Sequence, residues 1–525
     1  MQEIRGLQAG VGRSATCCLR VCLPTPEVSF APAAFGAQAS ELVADRGVRL
    51  QIGHLDRGTL QPAHLARDGL LLPTGLRAGI GRCEAVTLVP TRNRAGVERD
   101  EPRRRNLSEF VRPSALAPFR IRNYRFQWPA DLLTSWAFEM ETLILGWYVL
   151  AETGSVLLLT LLASLNYTGT LIAPMFGVVG DRIGHRDLLA TMRAAYAVLA
   201  LTLMTLALTD LLSPLYVLII VAVMGLVRPS DLGVRGALVA TIMPRGQLIG
   251  AISVSRTTMD TARIAGALSG AGLLAALGIG PAYIAIVSLY VISTTLTLCV
   301  DAPATPHPVD ESALGAPRHS PMRDLREGVV YVWTTPAMRA AIWIAFLANL
   351  TAYPFSNGLL PYIAREIYGT GQTGLGYLSA SYAVGSLVGS IALSVTGGIR
   401  VARLMIGATI LWYTMLLVFA HLQTMPAATA CLLLVGFSQS LCMISLAVIL
   451  MRAASEHFRG RVMGVRMLVI YGLPLGLLAA GALIDEVGFA ATASLYAVAG
   501  LALMLGIAFY WRADLWHVQA PANVR

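Results

Sequence analysis

From about residue 120 onward, apolar residues come in long runs separated by short polar joins. A helix crossing a hydrocarbon core needs about 20 mostly apolar residues. By that ruler the chain predicts spans at 128–151, 155–179, 188–209, 213–236, 247–274 and 280–300. After a polar, Pro-rich connector come 338–361, 372–397, 402–421, 426–450, 460–483 and 488–511. The expected fold class is an all-α polytopic membrane protein with twelve transmembrane helices, six on each side of the connector. Within the connector, 301–321 reads as extended. From Met322 to Val332 charge alternates with Leu325, Val329 and Val332 at helical spacing, which describes a short amphipathic helix lying on the membrane surface.

Composition supports the membrane reading. The 525 residues could make two to four soluble domains, but 55% are hydrophobic, only 13% are charged and the mean hydropathy is +0.63. Soluble domains carry about 25% charged residues, so lipid has to cover much of this surface. The net charge of +10, carried by arginine with no lysine, therefore does not imply nucleic acid. It sorts the joins instead. Arg182, Arg186, Arg245, Arg400, Arg403, Arg452, Arg459 and Arg461 follow the even-numbered spans, whereas Glu152, Asp210 and Glu486 follow odd-numbered ones and only Arg365 breaks the pattern. Arg-rich joins stay in the cytoplasm, so both termini and the connector are expected there, in a bacterial plasma membrane.

The domain organisation follows: 1–117 is an N-terminal extension, 118–300 and 338–511 are the two helical halves, 301–337 is the connector and 512–525 a tail. Residues 1–105 carry Pro and Gly throughout and no sustained period, which describes either a disordered extension or a start placed too far upstream, with Leu107 or Val111 as alternatives. Cys17, Cys18 and Cys22 lie close together, but no second Cys/His cluster completes a tetrahedral metal site, and no cofactor is expected.

Ionisable residues inside spans are costly and so mark function by default. Glu139 and Glu141 lie about 17–20 Å into the first span, near the midplane. Two residues apart is about 200° of helix, so one is expected to line a central cavity and the other to pack against a neighbouring helix. A carboxyl in such a place can bind and release a proton, or can be satisfied by an Arg or Tyr for packing alone. Asp260 on the fifth span can pair with Arg256 or Arg263 at helical spacing. Arg228, Asp231 and Arg235 share a face of the fourth span near its cytoplasmic end. Asn349, Gln439, Trp147, Trp343, Tyr353 and Phe355 are candidates to touch an amphipathic substrate. The Asn166-Tyr167-Thr168 sequon lies inside an apolar run and carries no glycosylation signal.

Two features point to a family. Arg245-Gly246 followed by Gly250 recurs 214 residues later as Arg459-Gly460 followed by Gly464, at the start of the eleventh span, as in a duplicated transporter. The loop after the second span reads Gly177-Val178-Val179-Gly180-Asp181-Arg182-Ile183-Gly184-His185-Arg186 and resembles the signature of the major facilitator superfamily, with His185 where a second cation is usual. The resemblance implies a cytoplasmic gate made by Gly177, Gly180, Asp181, Arg182, Gly184 and Arg186. Its glycines let helices approach closely, Asp181 faces a helix N-terminus, and Arg182 pairs with an acid, for which Asp231 is the candidate.

Further stretches resemble the branch that includes the enterobactin exporter and macrolide-efflux proteins. They are Arg326-Glu327-Gly328 with Tyr331-Val332 and Pro336, then Pro354-Phe355, Leu360-Pro361 and Gly374-Leu375-Gly376-Tyr377. Thr261-Ala262-Arg263-Ile264-Ala265-Gly266 and Arg459-Gly460-Arg461-Val462-Met463 complete the set. The resemblance runs from about 118 to 511. It implies a monomeric, proton-coupled exporter of small molecules, with Glu139, Glu141, Asp260, Arg263, Asn349 and Gln439 as cavity candidates. Exporters commonly carry a Gly/Pro-rich motif in the fifth span. Here Gly266-Ala267-Leu268-Ser269-Gly270-Ala271 lacks the proline, which leaves an uptake permease as the alternative. A non-transporting sensor would need an appended soluble domain, and the chain has no metalloprotease, nucleophile-elbow or phosphate-loop motif of an enzyme.

Overall fold

The computed structural model describes residues 117–244, 247–301, 321–395, 401–455 and 458–512, together with three short strands nearer the N-terminus. Most of the Pro-rich stretch, the tail after 512, Arg245, Gly246 and Arg400 lie outside the described residues, as do the side chains of Gly177, Asp181 and Arg459. The chain divides into two compact units, Met1–Glu109 and Phe110–Arg525. In the first, β1 (Cys18–Cys22), β2 (Val48–Ile52) and β3 (Cys83–Pro90) pair antiparallel in the order β1-β3-β2. Of the three, β2 alone alternates, as Val48-Arg49-Leu50-Gln51-Ile52, and five residues are too short a run to stand out in a stretch with Pro and Gly throughout.

The second unit is all-helical. Before the connector run α1 (Arg122–Thr153), α2 (Val156–Leu165), α3 (Ala173–Ile183), α4 (His185–Leu208), α5 (Pro214–Ile242), α6 (Leu248–Leu277) and α7 (Ile279–Leu298). Then come α8 (Pro321–Thr334), α9 (Pro336–Thr351), α10 (Gln372–Val395), α11 (Val401–Phe419) and α12 (Met425–Ala453). The last are α13 (Arg459–Leu468), α14 (Gly472–Val487) and α15 (Phe489–Tyr510).

Eight helices among the described residues are long and apolar enough to cross a membrane, or nine if α8 and α9 count as one bent pair. The other expected spans fall short for visible reasons. Helices α1 and α6 have 32 and 30 residues, but they carry the charges that single out the site. The second expected span is interrupted between α2 and α3, where backbone meets backbone: a Cβ on Gly225 would lie 1.9 Å from the Leu165 carbonyl oxygen. The seventh ends early at Thr351 and continues as short turns through Pro354 and Pro361. The predicted amphipathic segment is α8, which meets α9 at 108°.

The packing repeats along the chain. Helix α1 lies on α6 and α7, and α4 lies on α7 and α5. Correspondingly, α9 lies on α14 and α15, and α11 on α15 and α12. Two seams join these sets, α2 against α14 and α6 against α10. Both are closed by small residues, as expected where lipid gives helices no hydrophobic reason to associate. A Cβ on Gly376 would lie 2.5 Å from the Ala271 Cβ, and one on Gly481 would lie 2.3 Å from the Thr160 hydroxyl. Arg365 adds a hydrogen bond to the Leu150 carbonyl at the same end. Away from that end, toward the Gly177–Arg186 loop, the bridging hydrogen bonds among the described residues are that of Ser164 Oγ to Pro474 O at 3.2 Å and those of Tyr471. Its hydroxyl accepts from Leu171 N at 2.9 Å and donates to Thr168 O at 3.2 Å.

Candidate functional site

The site is built on α1. Phe138 and Thr142 lie on one face of this helix, and Glu139 and Glu141 flank that face by roughly 80° on opposite sides. Each carboxylate therefore meets a different neighbour. Glu139 turns toward α6, where the Arg263 Nε lies 3.3 Å from its Oε1. Their side chains are 24% and 31% exposed. Glu141, only 1% exposed, turns toward α5 and takes the Arg228 Nη2 at 2.5 Å. Tyr290 Oη donates to the same oxygen at 3.1 Å. Arg228 also donates to Asn166 Oδ1 at 2.5 Å and lies 3.5 Å above the Phe138 ring centroid.

A cavity of about 160 Å³ opens onto this face, with Phe138, Glu139, Glu141, Asn166, Arg228 and Arg263 in its wall. Tyr382, Ser356 and Asn357, from the helices after the connector, close it opposite. The expectation that only one of Glu139 and Glu141 reaches the cavity is corrected, because a cavity wide enough to cover the Phe138 face touches both flanks. They differ in access: Glu139 is partly open, and Glu141 is sealed by its partners.

One helical turn or more nearer the loop end, a second network is fully buried. Asp131 on α1 takes Arg193 of α4, Arg235 Nε of α5 at 3.3 Å and Gln127 Nε2 at 2.6 Å. Arg193 also donates to Thr297 on α7. Arg235 Nη2 in turn holds Asp231 Oδ2 at 2.7 Å. Three helices are thereby tied through interlocked ions, and α7 joins them through the Thr297 hydroxyl. Breaking one partner of such a pair costs about 3–5 kcal/mol, because the other charge is stranded.

The structure separates the remaining candidates. Asp260 is buried and has Arg256 as its helical partner, with 3.8 Å between Nε and Oδ2, so it belongs to a local pair outside the cavity wall. Asn349 donates to its own helix at Ala345 O and is not in the wall either. Gln439 donates to Tyr353 Oη behind it. Trp147 and Phe355 pack in the core, and Trp343 is 40% exposed on the outside.

At the loop, Gly184 has φ +94°, a conformation that side chains with a Cβ avoid, and joins α3 directly to α4. A Cβ on Gly180 would come within 3.1 Å of the His185 ring. Arg186 binds Asp187 at 3.2 Å and the Leu298 carbonyl. The expected pair of Arg182 with Asp231 does not form. Arg182 is exposed, and Asp231 is taken by Arg235 one helical turn along its own helix. With the loop end lacking the close seams of the other end, Arg182 has no acid within reach among the described residues. Asp181 and Gly177 lie outside the described side chains.

Comparison with known proteins decides the family. The family model described as Major Facilitator Superfamily matches residues 128–474. The chain belongs to the Major Facilitator Superfamily. This member is similar to the multidrug efflux pump Tap of Mycobacterium bovis (strain BCG / Pasteur 1173P2), with 25% identity over 377 residues, 69% of this chain and 87% of the relative. Against the multidrug efflux pump Tap of Mycolicibacterium fortuitum it is 29% identical over 185 residues, which is 34% of this chain and slightly under half, 45%, of that relative. Among solved structures, an auto inhibited POT family peptide transporter aligns at TM-score 0.58 and 14% identity, covering 77% of this chain and 98% of that one. That likeness concerns the fold alone. This superfamily member is thus a multi-pass membrane protein of a transporter family.

Proposed function

We propose that this protein is a proton-coupled exporter of small amphipathic molecules, acting as a monomer by alternating access. The reading takes α1, α2 with α3, α6 and α9 as membrane-crossing alongside the eight apolar spans. That gives twelve spans in two halves, 118–300 and 338–511, joined by 301–337, with 1–117 outside the transport machinery. The repeated packing of α1, α4, α6 and α7 by α9, α11, α14 and α15 supports it. Arg-rich joins put both termini in the cytoplasm of a bacterial plasma membrane, and the loop end is then the cytoplasmic end. The similarity to Tap supports efflux.

The observation that carries the proposal is the Glu139–Arg263 pair in the cavity wall. Its two side chains come from α1 and α6, and α6 is one of the four helices that make the two seams. A proton on Glu139 removes the attraction and leaves Arg263 to find another partner. The energetic consequence falls directly on the α6–α10 seam. Glu141, which touches the cavity but is only 1% exposed and held by Arg228 and Tyr290, and the buried Asp131 network keep the first half rigid while this happens. The conformer described here, sealed at the far end and loosely bridged at the loop end, is inward-facing on this reading.

The test is accumulation of candidate substrates in inside-out vesicles with an imposed proton gradient. Gradient-dependent uptake that is lost in Glu139→Gln supports the exporter. Uptake indifferent to the gradient and to both Glu139→Gln and Glu141→Gln overturns proton coupling through these residues. An uptake permease of the same fold is the second reading, favoured by the missing proline in Gly266–Ala271; it predicts accumulation in right-side-out vesicles instead.

A further inference from the structure

Among the described residues, three side chains hydrogen-bond between the helices before the connector and those after it: Ser164, Tyr471 and Arg365. Of these only Arg365 brings a charge. It is also the arginine that breaks the charge pattern of the joins, standing after the seventh expected span, away from the Gly177–Arg186 loop. A cation on that side goes against the rule that sorts the other joins, so its place calls for a reason. Its Nη1 donates to the Leu150 carbonyl in the last turn of α1. The same carbonyl accepts from Gly154 N at 2.9 Å, where α1 ends. The last carbonyls of a helix carry the negative end of its dipole, so a guanidinium there makes a charge-assisted bond.

The backbone is shaped to deliver this side chain. After Leu360–Tyr362 the chain widens into a π turn at Ile363–Ile367, closed by Tyr368 N on Ile363 O at 3.1 Å. Such a turn is rare, and it is found most often at functional sites. Its other contacts stay within the second set: Thr370 N and Oγ1 both donate to Ala364 O at 2.9 Å, and Tyr368 Oη donates to Leu422 O at 3.1 Å. Arg365 alone reaches across to α1. About one helical turn back along both segments, a Cβ on Gly146 would lie 3.2 Å from Pro361 Cγ, and both residues stand in the cavity wall. The cavity is therefore closed at this end by an apolar contact, with the Arg365 bond as a polar closure beyond it. Arg365 has a second partner on its own turn. Glu366 Oε1 lies 3.5 Å from its Nε, and the two side chains are 46% and 36% exposed.

We propose that Arg365 is the positioning residue that latches the far end of the transport cavity. With its bond to Leu150 O made, Pro361 is held on Gly146 and the far end is sealed. With that bond broken, Arg365 falls back on Glu366 and the two segments part. This rests on the reading of the protein as an alternating-access transporter, but on neither proton coupling nor the direction of transport. The two states share one cation and differ in its partner, a carbonyl of the first set or a carboxylate of the second. Removing Arg365 therefore favours the open far end, and removing Glu366 favours the sealed one. An arginine with a merely structural role gives no such opposition of sign.

The experiment measures access to the cavity from each face, with no substrate and no gradient. The full chain carries Ser379→Cys, a position in the cavity wall, and reacts with a membrane-impermeant sulfonated maleimide in right-side-out and in inside-out vesicles. The chain without Ser379→Cys gives the background from native thiols such as the exposed Cys299. Arg365→Met should raise labelling from the far-end face about tenfold and lower it from the loop face, as for loss of one charge-assisted hydrogen bond. Arg365→Lys, which keeps the charge, should stay within about threefold of the parent. Glu366→Gln should lower far-end labelling instead. Should Arg365→Met unfold at a lower temperature than the parent, Glu366→Gln, a change at an exposed side chain, carries the test alone. Far-end labelling unaltered in a stably folded Arg365→Met, or raised in Glu366→Gln, overturns the latch. Labelling from one face only, in the parent and every variant, overturns alternating access itself. Failure of coupling through Glu139 would leave these rates intact, so the proposals fail separately.

Discussion

The helices before the connector and those after it repeat one packing pattern but are held together by different chemistry. In the first set, ions do the joining: α1, α4, α5 and α6 meet through Asp131, Glu139, Glu141 and their arginines. In the second, the described contacts deep in the spans are neutral. Thr351 meets Tyr413 at 2.7 Å, Tyr496 donates to Gly476 O at 3.0 Å, and Gly476, Gly436 and Gly385 let backbones touch. The described ion pairs of that set, Arg365–Glu366 and Arg461–Glu327, lie near helix ends. Among the described residues, the packing pattern recurs while the interlocked buried ion pairs belong to the first set. On the proposed function, a proton would act on the first set while the second serves as the wall against which it moves.

The comparison predicts a gradient of mutational cost. The largest effect belongs to the charged set: Arg228→Ala strands Glu141 and should cost about 3–5 kcal/mol, read as a fall in thermal unfolding temperature. A double change of Glu141→Leu with Arg228→Met should recover most of it. If the single variant were no less stable than the parent, the ionic account of the first set would break. Next comes backbone contact in the neutral set. A Cβ on Gly476 would lie 2.0 Å from the Leu350 carbonyl, so Gly476→Ala should cost about 2–3 kcal/mol, whereas Gly407→Ala, with open space around it, should be neutral. Thr351→Val removes the hydrogen bond to Tyr413 and should cost about 1 kcal/mol or less, the range of single polar contacts between membrane helices. Arg182→Ala should change stability least, since Arg182 is exposed and unpaired among the described residues; a marked loss would reveal a gate contact in another conformer.

The sequence shows the scaffold more clearly than the site. Apolar runs and the Gly177–Arg186 loop locate most helices to within a few residues, though not the breaks in the second and seventh expected spans, and the rule that charges inside spans carry function singles out Glu139 and Glu141. Their partners are not legible, because Arg228 and Arg263 lie 87 and 124 residues away in sequence and only packing brings them near. Asp131 and Arg193 also interrupt apolar runs, but near the ends, where a charge costs little and gives no signal. Asn166 illustrates another limit. Its sequon carries no message, yet its side chain holds Arg228.

The central claim is that the open carboxylate, Glu139, couples protons to transport while the sealed one, Glu141, supports the fold. The most direct test compares gradient-driven accumulation with equilibrium exchange of the same substrate in proteoliposomes. The account predicts that Glu139→Gln abolishes accumulation, keeps exchange within about threefold of the parent and unfolds at the parent's temperature, whereas Glu141→Gln lowers the unfolding temperature and reduces both activities together. Accumulation by Glu139→Gln at the parent's rate, or equal loss of accumulation and exchange in that variant, would contradict it.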